Sequence, residues 1–168
     1  MLKQLTKNLF LTAAASSLLT VAPVSATNSV SAKPAESPAN NSLVQNTGAN
    51  EYFQQGFNLA VQDDKAGAEA AFRRAIQIDP NFAEAYANLG SLLANQNKLE
   101  EAASNLQNAI RLKPNTAEFH YMFGQVLYAQ NKMSEAVESV KKARDLFRNQ
   151  GKAQEANSLE QVLRNMKK

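Results

Sequence analysis

A chain of 168 residues with 44% hydrophobic and 20% charged residues has the size of one ordinary domain with appendages, and is neither a membrane-embedded body nor a wholly disordered one. With no cysteine, it excludes disulfides, thiolate metal sites, cysteine nucleophiles and a lipidated N-terminal cysteine. A formal charge of +3 supplies little counterion-release energy, so no nucleic-acid partner is expected.

In chain order, residues 1–26 come first. They hold Lys3 and Lys7, an apolar stretch of 14 residues from Leu9 to Ala22, and then Val24-Ser25-Ala26. That is the layout of a secretory signal peptide, with cleavage expected after Ala26. The apolar stretch is short of the roughly 20 residues of a spanning helix, so no transmembrane segment is expected in the mature chain. The mature protein is then expected in the periplasm or another extracytoplasmic compartment, with 16 bases against 15 acids. Residues 27–48 are rich in Ser, Asn, Ala, Thr and Pro and poor in large apolar residues, which predicts a flexible linker.

A period of 34 residues then takes over. Gly56, Gly90 and Gly124 keep it, as do Ala68, Ala102 and Ala136, and Ala75, Ala109 and Ala143. Larger residues follow the same frame: Leu59, Leu93 and Leu127, then Phe72, Leu106 and Val140. In the middle unit Tyr86, Leu89 and Leu93, then Ala102, Leu106, Ala109 and Ile110, recur at helical spacing on two segments split by Asn95-Gln96-Asn97. Each unit is therefore predicted to be two antiparallel helices with a short turn, the small Gly90 and Ala102 permitting close backbone approach. Asn81 with Glu84, and Asn115 with Glu118, fit N-terminal caps, while Pro80 and Pro114 stop the preceding helices.

This pattern resembles the tetratricopeptide repeat (TPR): an aromatic, Leu-Gly, a large apolar residue, two alanines flanking an apolar one, and a late proline. The units are 49–82, 83–116 and 117–150, and the resemblance implies an all-α solenoid of three helix-turn-helix repeats. Gln55, His120 and Arg148 depart from the pattern, where Leu, an aromatic and proline are expected. Looser packing at the start of the first unit and a helix running past Arg148 should follow. Residues 151–168 carry an apolar stripe of Ala153, Ala156, Leu159, Leu163 and Met166 and are read as a C-terminal capping helix.

No catalytic, cofactor-binding or metal site is expected. His120, the one histidine, sits where Tyr52 and Tyr86 stand in the other units and is read as packed between helices. Asp63-Asp64 and Glu100-Glu101 lie at a turn or a helix start, where acids suit the helix dipole. Residues 132–168 hold nine bases against five acids, a basic region read mainly as solvated surface, with weak contact to an anionic partner or membrane surface as its functional alternative.

What the resemblance implies for function is a concave groove, lined by the first helix of each unit, that binds a protein or peptide segment. Transferred position by position, the candidate site residues are Phe53, Phe57, Asn88, Ser91, Asn95, Tyr121, Gln125 and Tyr128. Family members that grip a chaperone's terminal carboxylate use lysines, an arginine and asparagines there; here only Asn88 matches. The expected function is therefore an adaptor or assembly factor without cofactor, and the alternative is a self-associating structural subunit using its open repeat ends or last helix.

Overall fold

The computed structural model describes residues 38–166, with side chains from residue 47 onward. All described side chains lie in the unit Ser42–Lys168. The expected cleavage site after Ala26 and residues 27–37 lie outside the described part. Seven helices follow one another: α1 Pro38–Val61, α2 Lys65–Ile78, α3 Ala83–Asn95, α4 Leu99–Leu112, α5 Ala117–Ala129, α6 Met133–Asn149 and α7 Ala153–Met166. Among the described residues there is no strand, and no helix is long and apolar enough to cross a membrane.

The 34-residue frame is cut by two kinds of turn. Between the helices of one unit, Asp63, Asn97 and Asn131 adopt left-handed conformations with φ of 62°, 61° and 61°. Asx residues tolerate that region better than most L-residues because their short polar side chain bonds locally. The next residue's N–H then closes back onto the helix: Asp64 to the Leu59 carbonyl, Lys98 to Leu93 and Lys132 to Leu127, each at 2.9 Å. This satisfies carbonyls that a helix end otherwise leaves open.

Between units, Pro80 and Pro114 build the turn as well as stopping the helix. Phe82 N donates to the Asp79 carbonyl at 3.1 Å and Thr116 N to the Lys113 carbonyl at 3.3 Å, which puts each proline at the second position of a four-residue turn, where its fixed φ is preorganised. The caps expected at Asn81 and Asn115 are corrected here. The cap residues are Phe82 and Thr116, without side-chain capping bonds, and the Asn81 N–H is engaged by Asp79 Oδ1 at 2.9 Å inside the turn. The one described side-chain cap of this kind is Asp64, which accepts from Gly67 N at 2.9 Å. The third unit lacks the proline, so α6 runs to 17 residues against 14 in α2 and α4. It ends at Gly151, φ 73°, where Lys152 N again closes back, onto the Phe147 carbonyl at 2.9 Å.

The small residues mark where helices cross. A Cβ placed on Gly90 would lie 2.8 Å from Leu106 Cγ and 3.1 Å from the Ala102 carbonyl oxygen, and on Gly124 2.8 Å from Val140 Cγ2. All six framing alanines of α2, α4 and α6 have no exposed surface, 0% each. The core is thus repeated from unit to unit, with Phe72, Leu106 and Val140 as its buried centres. On α7, Ala156, Leu159 and Leu163 bury against the cluster containing Leu146 and Phe147, while Ala153 is exposed and stands outside the stripe.

The first unit differs at both its edges. Helix α1 begins at Pro38, inside the stretch whose composition suggested a linker, and proline suits a first helical turn. Ala49 is already buried, and Gly48 lies against Ile78. Along the outer face of α1, Glu51, Gln55, Asn58 and Gln62 are exposed, whereas the same frame positions Ala85, Leu89 and Leu92 in the second unit are buried beneath the preceding helices. Gln55 thus stands on an exposed face, where Leu89 of the second unit stands on a covered one.

Candidate functional site

Helices α1, α3 and α5 are the first helices of the three units, and no Lys or Arg occurs on any of them. Their inner positions divide the eight candidate residues into engaged and available ones. Phe53 is engaged: its ring lies 5.8 Å from that of Phe72 and 4.9 Å from that of Phe82, both tilted, so it ties α1 to α2 and to the turn that leads into α3. It is half-buried, so only part of its ring faces outward. Asn88 is half engaged, because its Nδ2 donates to the Glu84 carbonyl of its own helix at 2.8 Å. That leaves its oxygen as the group to offer.

Phe57, Ser91 and Gln125 are half-buried, Asn95 is exposed and Tyr128 is 41% exposed. Tyr121 is half-buried, and burial pushes its phenol above the ordinary value, opposed by a hydrogen bond with Gln125. These six residues remain as surface on three neighbouring helices. Val61, 58% exposed at the end of α1, belongs with them. Its position, four residues after Phe57, is the signal that would have found it.

Each inner acid is paired with one lysine at the edge. Glu84 accepts from Lys113, and Glu118 from Lys152 at 3.3 Å. In the third unit the frame position of Lys113 is Phe147, and Lys152 stands in for the missing lysine, its Nζ 5.3 Å from the centre of the Phe147 ring. Sequence reading had Glu84 and Glu118 as caps; the substitution of Phe147 for lysine, with a lysine five residues on, is the pattern it passed over.

The basic region is largely consumed within the chain. Lys141 pairs with Glu138 at 2.6 Å, Arg144 with Asp145 at 2.8 Å and Glu160 at 3.0 Å, and Arg148 with Asp145 at 4.0 Å. The Arg144–Glu160 pair ties α6 to α7. The remaining candidates for chemistry are placed structurally too. His120 Nε2 donates to the Pro114 carbonyl at 2.8 Å, securing the turn before α5. Asp63 pairs with Lys65 at 3.3 Å, and Glu101 with Arg73 at 3.2 Å. Among the described residues no group of three or more His, Cys, Asp or Glu is arranged to hold a metal ion.

Helix pairs stacked in register, each adding one inner helix to a continuous face, define a helical-repeat solenoid. A family profile described as "TPR repeat" matches residues 90–131, and one described as "Tetratricopeptide repeat" matches residues 71–103. Together these matches mark tetratricopeptide repeats over residues 71–131. Solved structures share its fold. The TPR2B domain of yeast Sti1, in a complex with pHsp70, superposes with a TM-score of 0.68 at 21% identity, over 72% of this chain and 97% of that one. The first TPR domain of Spaghetti (RPAP3), bound to the HSP90 peptide SRMEEVD, gives a TM-score of 0.64 at 19% identity, over 73% of this chain and 96% of that one. An O-GlcNAc transferase mutant from Thermobaculum terrenum gives 0.59 at 27% identity over 61% of this chain, but only 20% of the transferase is covered. No curated protein matches the sequence.

Proposed function

We propose that this protein is an exported, non-catalytic docking module, an adaptor or assembly factor that receives a protein segment in the concave face of α1, α3 and α5. The observation that carries the reading is the surplus of aromatic and amide side chains on helices that hold no base: Phe57, Tyr121 and Tyr128 supply apolar contact, while Asn95 and Gln125 supply backbone-bonding groups. The peptide held by the Spaghetti domain is acidic. Here the inner helices offer its carboxylates no cation, so an acidic tail is a poor fit. Export rests on the pattern of residues 1–26, and a purified chain beginning at Thr27 by intact mass is its test.

The groove is tested by recovering a partner from the native envelope fraction and titrating it. Replacing Phe57 and Tyr121 together by Ala is expected to cost roughly 2 kcal/mol or more in affinity, because buried aromatic anchors dominate interface energy. Reversing Lys141 and Lys142 to Glu should cost far less. Binding lost only in the lysine variant would place the contact on the basic region instead. Self-association through the repeat ends has less support, since the exposed outer face of α1 is built of Glu51, Gln55, Asn58 and Gln62.

A further inference from the structure

The inner surface is not uniform along the stack. In the frame position of Phe53 and Tyr121, the middle unit has Ala87; in that of Phe57 and Gln125 it has Ser91; in that of Ala60 and Tyr128 it has Ala94. At no one of these three positions does the middle unit have the larger residue. Ala87 is covered by the core at 1% exposure, while the small Ser91 and Ala94 are half-buried and form a low floor rather than projecting groups. Phe57 on α1 and Tyr121 and Tyr128 on α5 stand to either side of that floor by register. A shallow seat with aromatic walls fits one bulky apolar side chain, whose burial against rings and a small-residue floor removes much apolar surface from water.

Charge selects further. Glu84 and Glu118 are the inner acids of α3 and α5, and each meets its lysine through Oε1 alone. The Oε2 of each accepts no hydrogen bond among the described residues. With Lys113 and Lys152 each held at Oε1, an incoming Lys or Arg has the open Oε2 of Glu84 or Glu118 to meet, as Arg73 and Lys98 share Glu69. From Glu84 to Ser91 is seven residues of helix, about 10 Å along the axis, which about three residues of extended chain can span.

On the groove reading above, we propose that the occupant is a segment carrying one large apolar residue within about three positions of a Lys or Arg, the apolar group seated over Ser91 and Ala94 and the cation meeting Glu84 or Glu118. The partner's recognition element is thus basic and apolar.

A random phage-displayed library of peptides about twelve residues long, panned against the purified protein, supplies the probe. The expected selection pairs a Leu, Ile, Met or aromatic residue with a nearby base. Synthetic versions of those peptides should lose about tenfold or more in affinity when Ser91→Leu or Ala94→Leu fills the seat. They should lose several-fold with Glu84→Gln plus Glu118→Gln, the loss shrinking as salt rises. Thermal melts identify a filling variant that fails to fold, and the isosteric Glu→Gln pair reports independently of it. Peptides that lose affinity when Phe57 and Tyr121 become Ala, yet lack the base and are indifferent to both the filling and the charge variants, would overturn this inference and leave the groove reading intact. Peptides indifferent to the Phe57 and Tyr121 changes, or no selection at all, would overturn both.

Discussion

Lys152, at the turn into α7, reaches back to Glu118 at the start of α5, its Nζ 3.3 Å from the carboxylate and 5.3 Å from the centre of the Phe147 ring. One side chain therefore joins the last helix to the inner helix of the third unit. Both partners are substantially solvated, with side-chain exposures of 44% and 34%, and such pairs contribute about 0 to 1 kcal/mol. Lys152→Ala should lower stability by about that amount, plus about 0.5 kcal/mol for the lost cation–ring contact. Denaturant titration at low and high salt measures it, and the ion-pair part should fade with salt. A loss well above 2 kcal/mol would mean that Lys152 does more than these two contacts provide.

Gly90 is the tightest test of the helix crossing. A leucine there must displace Leu106 and meet the Ala102 carbonyl, which as backbone cannot swing aside. Gly90→Leu is expected to cost roughly 1 to 3 kcal/mol through overpacking, read as a fall of several degrees in Tm. Adding Leu106→Ala should return part of the loss. An unchanged Tm for the single variant would contradict the close approach.

Removing residues 152–168 takes away Ala156, Leu159 and Leu163 and uncovers Leu146 and Phe147, now 9% and 8% exposed. An uncapped solenoid frays or associates. Light scattering and thermal melting of the truncated chain should show a lower Tm together with concentration-dependent mass. A monomer as stable as the parent would deny α7 its capping role.

Glu69 provides a pH-dependent element between the first two units. It accepts from Arg73 at 2.9 Å and from Lys98 at 3.1 Å. The Arg73 hydrogen bond, with help from Lys98 and against partial burial, holds its carboxyl below the ordinary 4.5. A carboxylate whose folded pKa lies below its unfolded one stabilises the fold above the unfolded pKa, and that contribution disappears as pH falls through the folded value. Glu69→Gln should therefore lower Tm at neutral pH and shallow the acid side of the stability profile. Equal Tm losses in the variant at neutral and strongly acidic pH would contradict the assignment.

The polar outer face of α1 predicts a gain of association. Gln55→Leu with Asn58→Leu restores the apolar character that Leu89 and Leu92 have at the same frame positions, on a face that is exposed in α1. Sedimentation velocity should then show a larger share of dimers or bigger species than the parent chain gives under the same conditions.

Most of the fold was legible because the frame is written in both small and large residues. Gly90 must be small for the same contact in which Leu106 must be large, so each confirms the other's position. The run-on of α6 was legible too, from Arg148 in place of proline. Capping was not: Asn81 and Glu84 have the right spacing for a reciprocal cap, but the Asp79-Pro80 turn takes up the Asn81 N–H first. Nor did position in the frame distinguish Phe53 from Phe57. Only the proximity of Phe82, which precedes α3 and depends on the turn geometry, shows that Phe53 packs against the turn into α3.

The left-handed turns at Asp63, Asn97 and Asn131 let each pair of helices close over a handful of intervening residues. Contact in the described body is accordingly between sequence neighbours, α3 with α5 being the one more distant pairing of note. Loop closure then takes little entropy from the search, and chains of such low contact order fold in microseconds to milliseconds. A chain that starts unfolded would have the face of α1, α3 and α5 assembled almost as soon as its last unit forms, and stopped-flow refolding should find no slow phase from long-range pairing.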